Sequence, residues 1–337
     1  MISQNKEKNS KKFVVTLGVF DGLHLGHQRI IKEVLTRARH FKALAAVVTF
    51  WPHPREITGG NFEGYIMNLE EKKHLLFSLG IDSIFILRSC REFLNMAGDG
   101  FISKLTKKIH FREMVVGEGF KFGQNGLWHI KELNNLSRGF QFNLRVIKKI
   151  RMGKKNISSS LIRKLIRRAD FFAVRKLLAR PYIMPGIVES GRGMGRRLGF
   201  PTANINNYQG FVMPKQGVYA VYVYIGKDRY LGAANIGVRP TVYKEVAGKT
   251  VRKNSALSAG PVRNNQHEKK NICEVTIMNF KKNIVGKKIN LLFLERVRNE
   301  RKFASRIHLK EAIRRDVSCI TAKYSIPAAN STQLIGL

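Results

Sequence analysis

Acidic residues are scarce in this chain. Its 337 residues carry 23 Asp and Glu against 61 Lys and Arg, a formal charge of +38. Cysteine is scarce too. Cys90, Cys273 and Cys319 are odd in number and widely scattered, which excludes a disulfide framework and a zinc finger or ribbon. No uncharged apolar run approaches the ~18 residues that cross a bilayer, so no membrane partner is expected. Residues 1–12 are polar and basic, and the short apolar run after them leads into Asp21 without a small-residue cleavage site. A secretory leader is therefore not expected, and the location read from the sequence is the cytoplasm. Internal repeats and low-complexity tracts are also missing.

The excess of positive charge creates a field that attracts anions of any kind, with strong salt dependence. Basic residues run along the whole chain, with clusters at 145–155 and 163–168. There is no basic arm and no aromatic-studded RNA-binding signature, so no dedicated nucleic-acid partner is expected. Anionic small-molecule substrates and a general Lys/Arg bias account for the charge more economically. A basic nucleic-acid-binding protein stays open as the alternative, and the sequence does not give the oligomeric state.

What is present begins with FVVTL (13–17), a short apolar β-rich run, followed by GVFDGLHLGH (18–27). An amphipathic pattern follows from 28 to 40, with Ile30, Ile31, Val34, Leu35 and Ala38 on one helical face. A strand turning through glycines into a helix surrounds a small space with peptide N–H groups and the positive helix end, a natural anion site. His24 and His27 line it. An imidazole donates to phosphate oxygens and, when protonated, stabilises charge on a phosphoryl group. A capped strand–helix turn without chemistry has the same H-x-G-H skeleton.

The next apolar run, ALAAVVTFWPHP (43–54), makes a βαβ unit and ends in Phe50, Trp51, Pro52, His53 and Pro54. Residues 69–87 read as a helix, a Gly80 stop and a third strand. FREMVVGEGFKFGQNG (111–126) reads as a fourth strand and a glycine-rich loop, and 143–150 as a last strand. In ISSSLIR (157–163) the serines Ser158, Ser159 and Ser160 start a helix; they serve either as caps or, with Arg163, as a phosphate clamp.

After a link at 180–186 the pattern turns β-rich. Gly191, Gly195 and Gly199 punctuate a loop rich in arginine, a weak signal for phosphate binding on its own. Thr202 and Asn204, two residues apart on an extended segment, point to one side and offer hard oxygens suited to Mg²⁺ with nucleotide phosphates. A hairpin follows with its turn at 226–228, then NIGVRPT (235–241), a strand at 272–280 with Glu274, another at 288–294, and a closing helix.

The string 18–27 resembles the G-x-F-D-G-x-H-x-G-H signature of the bacterial bifunctional riboflavin kinase/FMN adenylyltransferases. The resemblance continues through F-x-P-H-P (50–54), G-E-x-F-x-F-G (117–123), I-S-S-S-x-I-R (157–163), G-F-P-T-A-N (199–204), N-I-G-x-R-P-T (235–241) and R-x-E-x-K-F (298–303). A K-M-S-K-S-type lysine motif, as in class I aminoacyl-tRNA synthetases, is absent. The family implies an α/β doubly wound, Rossmann-like nucleotidyltransferase domain over 13–180. It implies a small antiparallel β-barrel riboflavin kinase domain with a C-terminal helix over 186–325.

By this resemblance ATP, riboflavin, FMN and FAD are substrates and products, and Mg²⁺ is the metal, held by Thr202 and Asn204. His24 and His27 act in adenylyl transfer, with Gly18, Phe20, Asp21, Gly26, the three serines and Arg163 at the nucleotide. Phe50, Pro52, His53, Pro54 and Phe120 lie at the flavin of that site. In the kinase half Glu274 is the base, Gly191, Gly195 and Gly199 the phosphate loop, and Asn235, Arg239 and Arg298 the flavin contacts. Three departures stand out. Gly119 replaces a usual Asp or Asn, the 279–286 turn has lost its acids and tyrosine, and a basic insertion occupies about 244–270. Retention of only one of the two activities is the alternative these departures raise.

Overall fold

The computed structural model describes residues 12–153, 155–190, 200–207, 210–238, 271–301 and 303–324. Gly191, Gly195, Gly199 and Arg239, as well as the 244–270 insertion, lie outside the described residues.

The first half is a five-stranded parallel sheet in the order β3-β2-β1-β4-β5. Its strands are β1 (Phe13–Leu17), β2 (Leu44–Trp51), β3 (Ser83–Arg88), β4 (Phe111–Gly117) and β5 (Asn143–Ile147). Strands covered on both faces need apolar residues throughout rather than in alternation, and β1 is buried at all five positions. Val14 faces one side with Ile31, Val34 and Ala38 of α1 (Leu25–His40). Val15 and Leu17 face the other side, toward Phe101, Ile102, Leu105 and Leu133. The short helices α2 (Pro54–Ile57) and α4 (Arg91–Leu94) sit in the connections. The longer ones are α3 (Leu69–Ser78), α5 (Gly98–Lys108) and α6 (Ile130–Gly139). Arg37 of α1 holds buried Glu113 of β4 through two bonds of 2.7 and 2.8 Å, fixing the helix across the sheet.

Strand order reverses between β1 and β4, and such a point opens a crevice beyond the carboxyl ends of the strands. The turn 18–24 leaves β1 there, and the 117–123 loop leaves β4 there.

A small ribbon of β6 (Arg151–Met152) and β7 (Lys155–Asn156) leads to α7 (Ser159–Arg168) and α8 (Phe171–Leu178). The helix start read at the serines is where α7 begins, with Ser158 as its N-cap. Ala169 at φ 60° ends α7, and Asp170 caps α8 by accepting from the Ala173 N–H at 3.0 Å.

The second half is a closed antiparallel barrel, β10-β11-β12-β9-β8-β13. Its strands are β8 (Ile183–Glu189), β9 (Thr202–Asn206), β10 (Gly217–Ile225), β11 (Asp228–Val238), β12 (Asn271–Ile277) and β13 (Lys288–Arg298). Val221, Val223, Ala234, Ile236, Cys273, Val275, Leu291 and Phe293 share its interior cluster. The closing helix α9 (Arg306–Tyr324) lies on the outside, with Ile320 against Ala220 and Ala233.

The two halves share a core. Ile162, Ile166, Phe171, Val174, Leu177 and Leu178 of α7 and α8 belong to the same cluster as the barrel interior. A second seam joins segment 63–67 to 207–213. The Tyr65 N–H donates to the Gly210 carbonyl and the Val212 N–H to the Tyr65 carbonyl, both at 3.0 Å. Gly64 has φ 102°, and a Cβ there meets the Gly210 oxygen at 2.8 Å, so this approach needs a glycine. Among the described residues no helix is long and apolar enough to cross a membrane.

Candidate active sites

At the end of β1 the Gly18 N–H donates to the Val48 carbonyl at 3.0 Å, and the chain then turns through Phe20 and Leu23, both at positive φ, a costly conformation for side-chain-bearing residues. His24 caps α1, its Nδ1 accepting from the His27 N–H at 3.3 Å. With Nδ1 as acceptor, the neutral His24 ring carries its proton on Nε2. The His24 and His27 rings stack at 3.6 Å, and Phe20 meets His27 edge-on at 5.1 Å. Gly26 permits this folding, because a Cβ there touches the His24 ring at 3.0 Å.

Burial pushes the His24 imidazole down to about 4. His27 is pushed well below its usual value by burial, then by the nearby His24 and Lys72 charges. Both rings are therefore neutral donors and acceptors near pH 7, rather than the imidazolium that an anion site alone suggests. His27 Nδ1 is buried without a partner, an open valence at the crevice.

The structure gives Asp21 and Arg163 tasks the sequence did not anticipate. Asp21 is buried, accepts from the Ile66 N–H at 3.1 Å and the Met67 N–H at 3.3 Å, and pairs directly with the Arg163 guanidinium. Arg163 Nε donates to the Gly64 carbonyl at 2.8 Å, and its side chain is buried. This arginine is used inside the protein, bracing the signature turn, and is not free to grip a phosphate. The serines divide their work. The Ser158 hydroxyl caps α7 by accepting from the Leu161 N–H at 3.2 Å, and the Ser159 hydroxyl donates to the Asp21 carbonyl at 2.8 Å. Ser160 is exposed at the same helix start.

The 50–54 loop lies beside the turn. Phe50 packs in the sheet cluster that also holds Phe120, and Phe120 stacks on Phe122 at 5.6 Å. The Pro52 carbonyl accepts from Ser89 Oγ at 2.7 Å, and Pro54 opens α2. His53 is turned inward, its ring 5.0 Å from Phe62 and its Nδ1 accepting from the Arg55 N–H at 3.1 Å. Burial, then the Arg163, Arg55 and Lys72 charges, push it down to about 3. At Gly119 the space of the missing side chain is filled: a Cβ there meets Lys149 Cε at 2.7 Å and Nζ at 2.9 Å.

Sequence reasoning missed Lys72. Its ammonium is buried beneath the turn, donating to the Val19 carbonyl at 2.7 Å and reaching Thr49 Oγ1 at 3.4 Å. Leu69, Lys72 and Leu76 recur at helical spacing, so the stripe containing a lysine was readable.

On the barrel, Asn204 of β9 is paired in register with Glu274 of β12, and Glu274 with Asn235 of β11. Cross-strand partners project to the same face. Their neighbours Ala203, Ile205, Cys273, Val275, Ala234 and Ile236 pack inward, so Asn204, Glu274 and Asn235 form an outward row, with Thr202 on the same face. Glu300 Oε1 lies over Gly237, two residues along from Asn235. Arg298 at the end of β13 is held by Asp316 of α9 through bonds of 2.7 and 2.8 Å, which tie the helix to the barrel. The altered 279–286 turn packs through buried Ile284 and a Gly286 N–H bond to the Val188 carbonyl at 2.8 Å.

Comparison with known proteins yields two family models, FAD synthetase over residues 6–161 and riboflavin kinase over 178–324. The chain is 31% identical over 313 residues to the bifunctional riboflavin kinase/FMN adenylyltransferase of Bacillus subtilis, covering 92% of each. It is 31% identical over 314 residues to that of Haemophilus influenzae, covering 92% of this chain and 94% of the relative. A crystal structure described as a macrolide-efflux protein from Streptococcus pneumoniae matches at TM-score 0.76 and 25% identity, covering 92% of this chain and 94% of the other.

Proposed function

Because the chain belongs to the bifunctional riboflavin kinase/FMN adenylyltransferase family, we propose that its two chemistries divide between the barrel row and the signature turn. Kinase chemistry, riboflavin to FMN, falls to the outward row on the barrel. Adenylyl transfer, FMN to FAD, falls to the His24–His27 turn.

The observation that carries the kinase assignment is the row itself. A carboxylate, Glu274, stands between two carboxamides, Asn204 and Asn235, with the Thr202 hydroxyl two residues away on the same face. Glu274 takes the proton from the riboflavin 5′-hydroxyl, whose oxygen then attacks the γ-phosphorus of ATP, releasing ADP. The donor set fits Mg²⁺: Thr202 and Asn204 offer neutral hard oxygens, and Mg²⁺ takes one or two protein ligands and completes its shell with phosphates and water. When bound there, the ion neutralises phosphate charge.

In the second reaction an FMN phosphate oxygen attacks the α-phosphorus of ATP and pyrophosphate leaves. The His24 Nε2–H, His27 and the N–H groups opening α1 stabilise the charge that builds on the α-phosphate. Asp21, Arg163 and Ser159 hold the turn, and Phe50 and Phe120 offer aromatic surface to the flavin. Free cysteines at Cys90, Cys273 and Cys319 suit a reducing, cytoplasmic setting.

One assay tests the division. The purified chain is incubated with riboflavin, ATP and Mg²⁺, and the flavins are resolved by chromatography. His27→Ala is expected to stop FAD formation and leave FMN formation intact; Glu274→Gln is expected to stop riboflavin phosphorylation and leave FAD formation from supplied FMN. Loss of both activities in either variant, with the fold intact, refutes two independent sites.

A further inference from the structure

Lys72 is a buried cation that no carboxylate pairs with directly, Asp21 acting on it only at a distance. It is 2% exposed, among the largest fully buried side chains of the protein. Its bonds go to neutral acceptors, the Val19 carbonyl and the Thr49 hydroxyl, and the Trp51 ring lies 5.8 Å from its Nζ. Among the described residues it makes no ion pair. Lysine almost never sits this deep unpaired, because an uncompensated buried charge costs several kcal/mol. The neighbouring carboxylates are already taken: Asp21 by Arg163, and Glu71 by Arg180 at 3.0 Å. The buried group behind the turn thus holds two cations, Lys72 and Arg163, against one carboxylate, Asp21.

The position of Lys72 gives that surplus a use. The Val19 carbonyl it holds belongs to the peptide leading into Phe20, whose ring meets His27. Thr49, its other partner, also donates to the Val19 carbonyl at 3.1 Å and lies on β2 just before the 50–54 loop. One ammonium therefore ties α3, the signature turn and β2 at the crevice.

We propose that Lys72 is a positioning residue for adenylyl transfer, and that its unpaired charge is compensated by the anionic nucleotide bound at the turn. The inference rests on the reading of that turn as the adenylyl site. The groups facing Lys72 are Asp21 on the turn, His27 on α1, Trp51 at the end of β2 and His53 just beyond it, while Arg163 of α7 reaches it through Asp21. Of these His27 and His53 are neutral above pH 7, so they do not titrate in the alkaline range. Burial pushes the Lys72 ammonium down to about 8, opposed by Asp21. An anion beside it reverses that shift, so nucleotide binding and protonation of Lys72 favour each other reciprocally.

The test uses the full chain and follows FAD formation from FMN and ATP between pH 6 and 9.5. The kcat/KM for ATP is expected to be level up to about pH 8 and then to fall about tenfold per pH unit. In Lys72→Met it is expected to be about ten- to a hundredfold lower at pH 7 and to lack that alkaline fall, with riboflavin kinase activity retained. A Lys72→Met chain within twofold of wild type, or slower with the alkaline fall intact, overturns the proposal. Should the variant lose both activities by failing to fold, the wild-type chain decides. NMR of its ¹⁵N-labelled lysines is expected to show one ammonium titrating near 8 that moves up by at least one unit with Mg-ATP. A Lys72 midpoint above 10, or one unmoved by Mg-ATP, overturns it equally. If His27→Ala leaves FAD formation unchanged, the site reading has failed, which is a separate outcome.

Discussion

Buried histidines contribute to how the protein responds to acid, and His27 is pushed down with His24 and His53. Burial holds His24 at about 4 and His53 at about 3, against 6.5 in the unfolded chain. A depressed value means that the folded state resists the proton. The stability is fully present above pH 6.5 and is lost as pH falls through the folded values. For His24 the difference is on the order of 3 kcal/mol. Urea unfolding midpoints are expected to decline steadily from pH 6.5 to 4, and His24→Gln to flatten part of that decline. Arg163 acts at the same scale. Arg163→Leu strands the Asp21 carboxylate in the interior, so a loss of roughly 3–5 kcal/mol is expected in urea unfolding. FAD formation is expected to fall with it, because the signature turn loses its brace.

At the scale of elements, the parallel strands were legible because doubly covered strands are apolar throughout, as in FVVTL and LAAVVTF. The chemical turns were legible because glycines and histidines cluster where a strand meets a helix. Two things were not. The break at Ala169 depends on one residue adopting a left-handed conformation, which its type does not announce. The task of Arg163 depends on Asp21 and Gly64, 142 and 99 residues away, and only the folded chain brings them together. The seam between 63–67 and 207–213 is equally long-range, and it makes a sharp prediction. Gly64→Ala places a methyl group 2.8 Å from the Gly210 oxygen at a positive φ, so a loss of about 1–3 kcal/mol is expected. Thermal unfolding of that variant checks it.

For the whole molecule, the shared cluster of α7, α8 and the barrel decides where the chain tolerates cutting. The expected boundary at 180–186 falls beyond two helices that pack with the barrel interior. A barrel fragment beginning at 157 keeps Ile162, Ile166, Phe171, Val174, Leu177 and Leu178 covered; one beginning at 183 loses that cover. The longer fragment is expected to unfold at the higher temperature and to stay soluble, since the shorter exposes a broad apolar surface. Scanning calorimetry of the two compares them directly.

Cys273 carries a last consequence. Its thiol lies in the barrel interior next to Glu274, and burial, then that charge, pushes it up to about 12. A thiol that is neither ionised nor accessible reacts only when the strands part. Cys319, exposed on α9, reacts at once and marks the zero of time. Alkylation of Cys273 is thus a clock for barrel opening wired beside the proposed base, and a ligand that closes the kinase face is expected to slow it.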